Sequence, residues 1–510
     1  MNTLRLILGD QLNIRHSWFN ENEEDTLYVM MEMRQETDYA PHHIQKVTAF
    51  FSAMRSFATS LKQKGHQVHY FRLDYDNNKQ SLTENLSELI AEKGIEKFEY
   101  QLPDEYRLDE QLSEFAQSLA IDWEAYDTEH FLSERHDLEE FFKGKKTFLM
   151  ESFYRSMRRK YDILMEGSQP VQGKWNFDKE NRKSYPKNPK VPERNFREND
   201  VSEIVSMIRD QRVVTIGEID PKQFIWPTTR REALADLNKF CDYFLQNFGT
   251  YQDAMHTDHA FGYHSLVSFA LNSKMLHPLE VVQKVLDCWE ENQDKISMAQ
   301  VEGYVRQIIG WREFMRGVYW AKMPEYKQMN ALSHRKKLPD WFWTGETKMN
   351  CLHHSIKQSL DHAYAHHIQR LMITGNFALL AGVDPDQLDQ WYLGIYIDAI
   401  EWVEITNTRG MSQYADDGIV GTKPYVSSAN YVKKMSNYCS SCQYNASKKT
   451  GENACPFNSL YWHFYDRHSS KFSNNPRTGM MYRTWEKMND EKKKEIIEQG
   501  NKYLEEIETL

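Results

Sequence analysis

Five short apolar runs, spaced by helix-length segments, constrain the first 130 residues to a parallel sheet. Leu4-Arg5-Leu6-Ile7-Leu8, Thr26 to Met31, Val68 to Phe71, Phe98 to Tyr100 and Ile121 to Tyr126 each read as strands. Helical spacing separates them, through Ile44, Val47, Phe50, Phe51, Met54 and Phe57, then Leu82, Leu86 and Leu89, then 108–119. Parallel neighbours need a crossover, and a helix supplies it, so residues 1–130 are expected to form a doubly wound α/β domain. Ligands of such sheets sit beyond the carboxyl ends of the strands, where Asp10 and Glu32 follow the first two runs. No G-x-G-x-x-G follows the first strand, which argues against a standard dinucleotide site.

Residues 131–228 read as an interdomain linker. Between 155 and 197, twelve Lys or Arg face five Asp or Glu, within a chain of formal net charge −11. Prolines at 170, 186, 189 and 192 exclude a long helix. The segment is either a solvated connector or a flexible basic flap that meets phosphates, with Arg158, Arg159, Lys160, Arg182 and Lys183 as candidates; positive charge concentrated in an acidic chain favours the flap. From 229 to 510 the spacing is helical, as in Leu234, Leu237, Phe240, Phe244 and Phe248, which predicts a large all-α domain. No apolar run approaches the roughly 20 residues of a membrane span, and no signal peptide is expected. Six cysteines in 510 residues argue against a disulfide-stapled secreted fold and for a reducing cytoplasm.

Four of those cysteines have ligand-like spacing: Cys439 and Cys442 as C-x-x-C, Cys455 thirteen positions later, and Cys351 far upstream. Zinc and a [4Fe–4S] cluster both accept four thiolates, and four unrelated buried cysteines is the bland alternative. Cys241 and Cys288 lie in apolar helical stretches and read as small core residues. In the run His362-Ala363-Tyr364-Ala365-His366-His367, helical spacing would make His362 and His366 neighbours. Ala363 stands where a zinc H-E-x-x-H motif needs Glu, so that reading fails. What remains is a polar helix face beside a cleft, or a proton donor facing an anion. Asp398 and Glu404 sit in an aromatic, apolar context, where at least one must be buried and partnered.

W-R-E-F at Trp311 to Phe314, H-S-L-V-S at His264 to Ser268, and the step from Asp398 to Glu404 resemble the photolyase/cryptochrome family. The four cysteines and the block D-A-I-E-W-V-E-x-x-N-T-R-G-M narrow the resemblance to the iron–sulfur bacterial cryptochromes and photolyases, whose characterised enzymes are prokaryotic (6-4) photolyases. It covers essentially the whole chain. It implies an α/β antenna domain, an all-α FAD-binding domain, and light-dependent repair of (6-4) pyrimidine–pyrimidone photoproducts in UV-damaged DNA, by a cytoplasmic monomer that needs no membrane. It implies FAD held by Tyr251, His264, Ser265, Leu266, Ser268, Arg306, Arg312, Asp398, Glu404 and Asn407, with Glu404 facing flavin N5 where other photolyases carry Asn. It also implies a [4Fe–4S] cluster on Cys351, Cys439, Cys442 and Cys455, and a 6,7-dimethyl-8-ribityllumazine antenna near Asp10, Glu32 and Tyr39. Trp343, Trp391 and Tyr392 would relay electrons, His367 beside His366 would be the lesion-site acid, and Tyr425 would join the basic residues on DNA. Mg2+ completes the expected cofactors. A cryptochrome-type blue-light photoreceptor would share this fold and these cofactors. A flavin-free iron–sulfur nucleic-acid enzyme, or a zinc-stapled DNA-binding module, would not.

Overall fold

A computed structural model describes residues 2–510. Its sheet has five parallel strands, β1 (Thr3–Leu6), β2 (Thr26–Met31), β3 (Gln67–Phe71), β4 (Lys97–Gln101) and β5 (Asp122–Tyr126), in the order β3-β2-β1-β4-β5. All six residues of β2 are buried, because crossover helices cover both faces of a doubly wound sheet. Those helices are Ile44–Gln63, Leu82–Lys93 and Tyr106–Ser118. The winding reverses between β1 and β4, so the connections leave their carboxyl ends in opposite directions and open a crevice there.

The segment after the sheet carries helices of its own, Met150–Lys160 and Ser202–Asp210 among them. Phe153, Tyr154 and Met157 bury one face of the first in the main core. Between 181 and 200 the chain is irregular and largely exposed, as its prolines dictate.

The remainder is helical. Four stretches, Phe240–Phe244, Arg306–Arg312, Arg370–Gly375 and Thr406–Ser412, adopt the wider π form within longer helices. The helix expected through 362–367 is broken. Asn350–His362 ends on Ala363 at φ 51°, and a new helix begins at His367. The Ala363 carbonyl accepts the Ile397 N–H at 2.9 Å, so tertiary pairing takes the place of the next helical bond. His362 and His366 therefore share no helix face. Among the described residues no helix is long and apolar enough to cross a membrane.

One buried cation pins the sheet to the helices. Lys274, from the helical part, lies 2.9 Å from Asp10 after β1 and 2.7 Å from Asp104 after β4. The contact to Asp104 is one of charge, since its carboxylate oxygens lack hydrogen-bond geometry. Arg316 adds a second cation 3.5 Å from Asp104. Replacing Lys274 by Met strands two carboxylates at the joint. The expected loss is about 3–5 kcal/mol, the range for breaking a buried ion pair, read as a lower midpoint in urea unfolding.

Candidate functional site

A cavity of about 580 Å³ opens among the helices and falls within the range of small-molecule sites. Three of the four π stretches line it, contributing Arg306 and Arg312, Arg370, and Asn407 with Thr408. A π turn widens the helix and re-aims side chains, which is why such turns gather at sites. Gly375 lets two of the stretches touch: a Cβ there would overlap the Ser412 hydroxyl.

One wall is the run Ser265–Ser268, with Leu266 at φ 59°. A bulky side chain in the left-handed region costs about 1–3 kcal/mol and marks a backbone held for a purpose. His264 stacks on His366, rings 4.6 Å apart and 18° from parallel. Neither ring nitrogen of buried His366 has a partner, although His366 lines the cavity. Burial, with His264, His367 and Arg370 nearby, pushes the His366 imidazole well below its usual range, and burial takes His264 down to about 3. His367 is surrounded by protein at longer range, which takes it down to about 4, yet its side chain is exposed in the open cleft. Water reaches it there and weakens the depression.

The opposite wall holds Asp398, paired with Arg370 at 3.0 Å, and Arg370 lies 3.7 Å over the Tyr396 ring. Glu404 is buried and accepts a bond from the Thr408 hydroxyl. Burial first, then the Asp389 charge, holds its carboxyl far above the usual carboxylate range. Asn407 also faces the cavity while donating to the Val403 carbonyl at 2.6 Å. Arg306 and Arg312 line the space but are already engaged, Arg306 with Glu151 and Glu302, Arg312 with Glu313 and His130. Tyr251 does not line it. Its ring stacks between Tyr185 and Tyr263, at 5.1 and 5.6 Å, as part of the scaffold behind.

Tyr392 lines the cavity, and Trp391 follows at 5.2 Å between ring centres. Phe342 meets Trp391 edge-on at 5.0 Å and accepts its indole N–H on the backbone carbonyl. Trp343, the next residue, is partly exposed at the surface.

Cys351, Cys439, Cys442 and Cys455 ring one small, mostly apolar cavity, and all six cysteines are free. Among the described residues no three His, Cys, Asp or Glu side chains are placed to hold a single metal ion. Burial pushes the thiols of Cys351, Cys439 and Cys455 up, Cys439 to about 11 and Cys455 to about 12. Four thiols in one apolar cavity suit a polynuclear cationic group, which would stabilise them as thiolates.

A further cavity of about 150 Å³ lies at the carboxyl ends of β1, β2 and β4 and includes Asp10 and Tyr39. Glu32 does not line it. The Arg55 guanidinium, the Tyr70 hydroxyl and the Leu73 N–H hold that carboxylate inside the fold. Of the basic candidates, Arg182 reaches the mouth of the main cavity, opposite Tyr425, paired with Asp178 at 3.3 Å. Arg159, Lys160 and Lys183 are exposed, whereas Arg158 turns inward and donates to the carbonyls of Ile163 and Leu164. It is unavailable to phosphates. Sequence reasoning missed Arg370, Tyr364 and Tyr396 on the cavity wall. A lone arginine within I-Q-R-L-M-I was the signal, because a buried arginine must find an acid.

A family model described as deoxyribodipyrimidine photo-lyase-related protein matches residues 5–224. A protein of Agrobacterium fabrum called (6-4) photolyase is 40% identical over 516 residues, covering 100% of both chains. Among solved structures, a bacterial class III photolyase from Agrobacterium tumefaciens shares the fold with a TM-score of 0.56 at 17% identity, covering 83% of this chain and 81% of its own. A Synechocystis cryptochrome does so with a TM-score of 0.56 at 13% identity, covering 85% and 86%.

The Glu404 environment has a measurable consequence. An acid whose folded pKa is raised keeps its proton while the unfolded chain loses it, so stability falls as pH rises above the unfolded value of about 4.3. Glu404→Gln removes that loss. Its melting temperature is expected to match the parent at pH 4 and to exceed it increasingly towards pH 8 in thermal scans.

Proposed function

The chain belongs to the bacterial photolyase/cryptochrome family, and on that premise we propose that it repairs (6-4) photoproducts in UV-damaged DNA under light. The observation that carries this reading is the cavity itself: two stacked histidines, one of them buried and without partners, beside an arginine–aspartate pair and a buried glutamic acid. The residues fit FAD, the cofactor of this family. Ser265, Leu266 and Ser268 would hold its phosphate part, and Asp398, Glu404 and Asn407 its flavin end. Reduced FAD, when bound, supplies the light-driven electron.

The protein's own part is to bind, orient and protonate. Arg182 at the mouth, with Lys183 and Arg159 on the exposed segment, meets phosphates and so positions the duplex. A damaged dinucleotide leaves the stack at less cost than an intact one and can enter the cleft. Tyr364 and His366 line its wall, His366 with two unsatisfied ring nitrogens to offer. His367 is the proposed acid. Nearby negative charge favours its protonated form, so it takes up a proton when an anionic group arrives. Tyr392, Trp391 and surface Trp343 are the proposed route for electrons from solution.

Three further assignments complete the reading. The four cysteines carry a [4Fe–4S] cluster, as their shared cavity suggests. The sheet cavity with Asp10 and Tyr39 takes the ribityllumazine antenna. Asp178 and Asp253, both lining the mouth, offer carboxylates to hydrated Mg2+ between protein and phosphate. Action as a monomer in the cytoplasm belongs to the same reading, and free cysteines suit that compartment.

An oligonucleotide bearing one (6-4) lesion should be restored by this protein under blue light with reductant. His367→Ala should slow repair by about 10²–10⁴-fold, the usual contribution of a positioned acid, with lesion affinity retained. Flavin photoreduction without restored bases would assign the chain to photoreception instead. Trp391→Phe should slow photoreduction at unchanged flavin content, measured by absorbance under steady illumination.

A further inference from the structure

We infer that Gln369 and Tyr438 are positioning residues that tie the His366–His367 turn to the wall of the four-cysteine cavity; the kinetic arm of the inference rests on the repair reading above. Tyr438 is buried, lines the cysteine cavity and directly precedes Cys439. Its hydroxyl accepts a hydrogen bond from the Gln369 amide at 3.1 Å. Gln369 is itself buried, and its carbonyl oxygen accepts the His366 backbone N–H at 3.1 Å. The same side chain exchanges two amide bonds with Gln358, at 2.9 and 3.1 Å. Gln358 in turn donates to the carbonyl of Tyr364 at 3.1 Å. Both ends of the turn that breaks the helix at Ala363 thus hang on one amide pair, buried at Gln369 and half-buried at Gln358.

That arrangement has a physical logic. The turn 363–366 makes no regular helix, and the His366 ring has no hydrogen bond to fix it. Its direction is therefore set by the backbone, and the backbone by Gln369. A largely buried amide network is best satisfied throughout, so removing one member disturbs the rest. Tyr438 is the member shared with the cysteine cavity. Its phenolic oxygen links the packing there to the turn that carries the histidines. Neither residue touches the main cavity.

The test uses the holoprotein. Tyr438→Phe removes one oxygen and keeps the ring against the cysteines. Iron content, flavin content and the Kd for lesion DNA should match the parent, while repair turnover falls on the order of tenfold to a hundredfold, as a misplaced acid implies. Hydrogen exchange of the peptide spanning 363–369 should quicken. Gln369→Leu should give the same loss, and the double variant should be no worse than either single one, since the two would break one link. Parental turnover in Tyr438→Phe, loss of iron from it, or losses that multiply in the double variant would each overturn the link. Should Gln369→Leu fail to fold, Tyr438→Phe decides alone. Should the parent protein repair nothing, the exchange measurement still decides: quickened exchange sustains the link, unchanged exchange ends it, and the failure of repair counts against the function only.

Discussion

The geometry of the main cavity depends on the contacts of Arg370. Its guanidinium reaches Asp398 at 3.0 Å, donates to the Ala365 carbonyl at 2.7 Å and lies flat on Tyr396. Its backbone carbonyl accepts the Tyr392 hydroxyl at 2.6 Å. One residue thus fixes the turn that presents the histidines, the aspartate opposite them and the tyrosine that begins the aromatic chain. Lysine could not substitute, because a point charge offers neither the fork nor the face that stacks. Placing this arginine in a π turn lets it serve three elements at once, since the widened helix turns it off the ordinary helical stripe.

The two cavities are joined just beyond that pair. Ala399 lines both the helical cavity and the crevice of the sheet. A single short turn holds the join: Asn272 donates to the Asp398 carbonyl at 2.7 Å, Ser273 accepts the Leu12 N–H at 3.0 Å, and Lys274 grips Asp10 and Asp104. The crevice exists because the sheet reverses its winding between β1 and β4. Three consecutive residues then set its distance from the helical site. Strand order, a property of chain topology, is in this way converted into a fixed separation between two binding spaces.

The sheet was legible because buried parallel strands are continuous apolar runs, and all five appear within a residue or two of expectation. Periodicity failed where tertiary partners decide. The helix through His362 was expected to continue, but Ile397 claims the Ala363 carbonyl. Charge counting placed Arg158 on the outside, although it stands at i, i+4 from Tyr154 and one residue after Met157, on the stripe that is buried. Glu32 was assigned to a ligand site by its place after β2, while Arg55, distant in sequence, takes its carboxylate. Tyr251 was assigned by proximity to the His264 segment, and ring stacking turned it away. The π turns carry only a faint sign in sequence, a glycine in each of the three stretches that line the cavity, namely Gly310, Gly375 and Gly410.

What the cavity does to protons follows from its dryness. Desolvation disfavours whichever form carries charge, so the same surroundings push His264 and His366 down and Glu404 up. The charged pair on the wall is internally compensated. Such a site has little to attract or repel a neutral base. Its response to an anion is different. Negative charge entering the cleft raises the imidazoles towards protonation, and the low dielectric that suppressed them magnifies the effect. On the repair reading proposed above, the acid would be made by the arrival of the anion rather than stored in the resting protein.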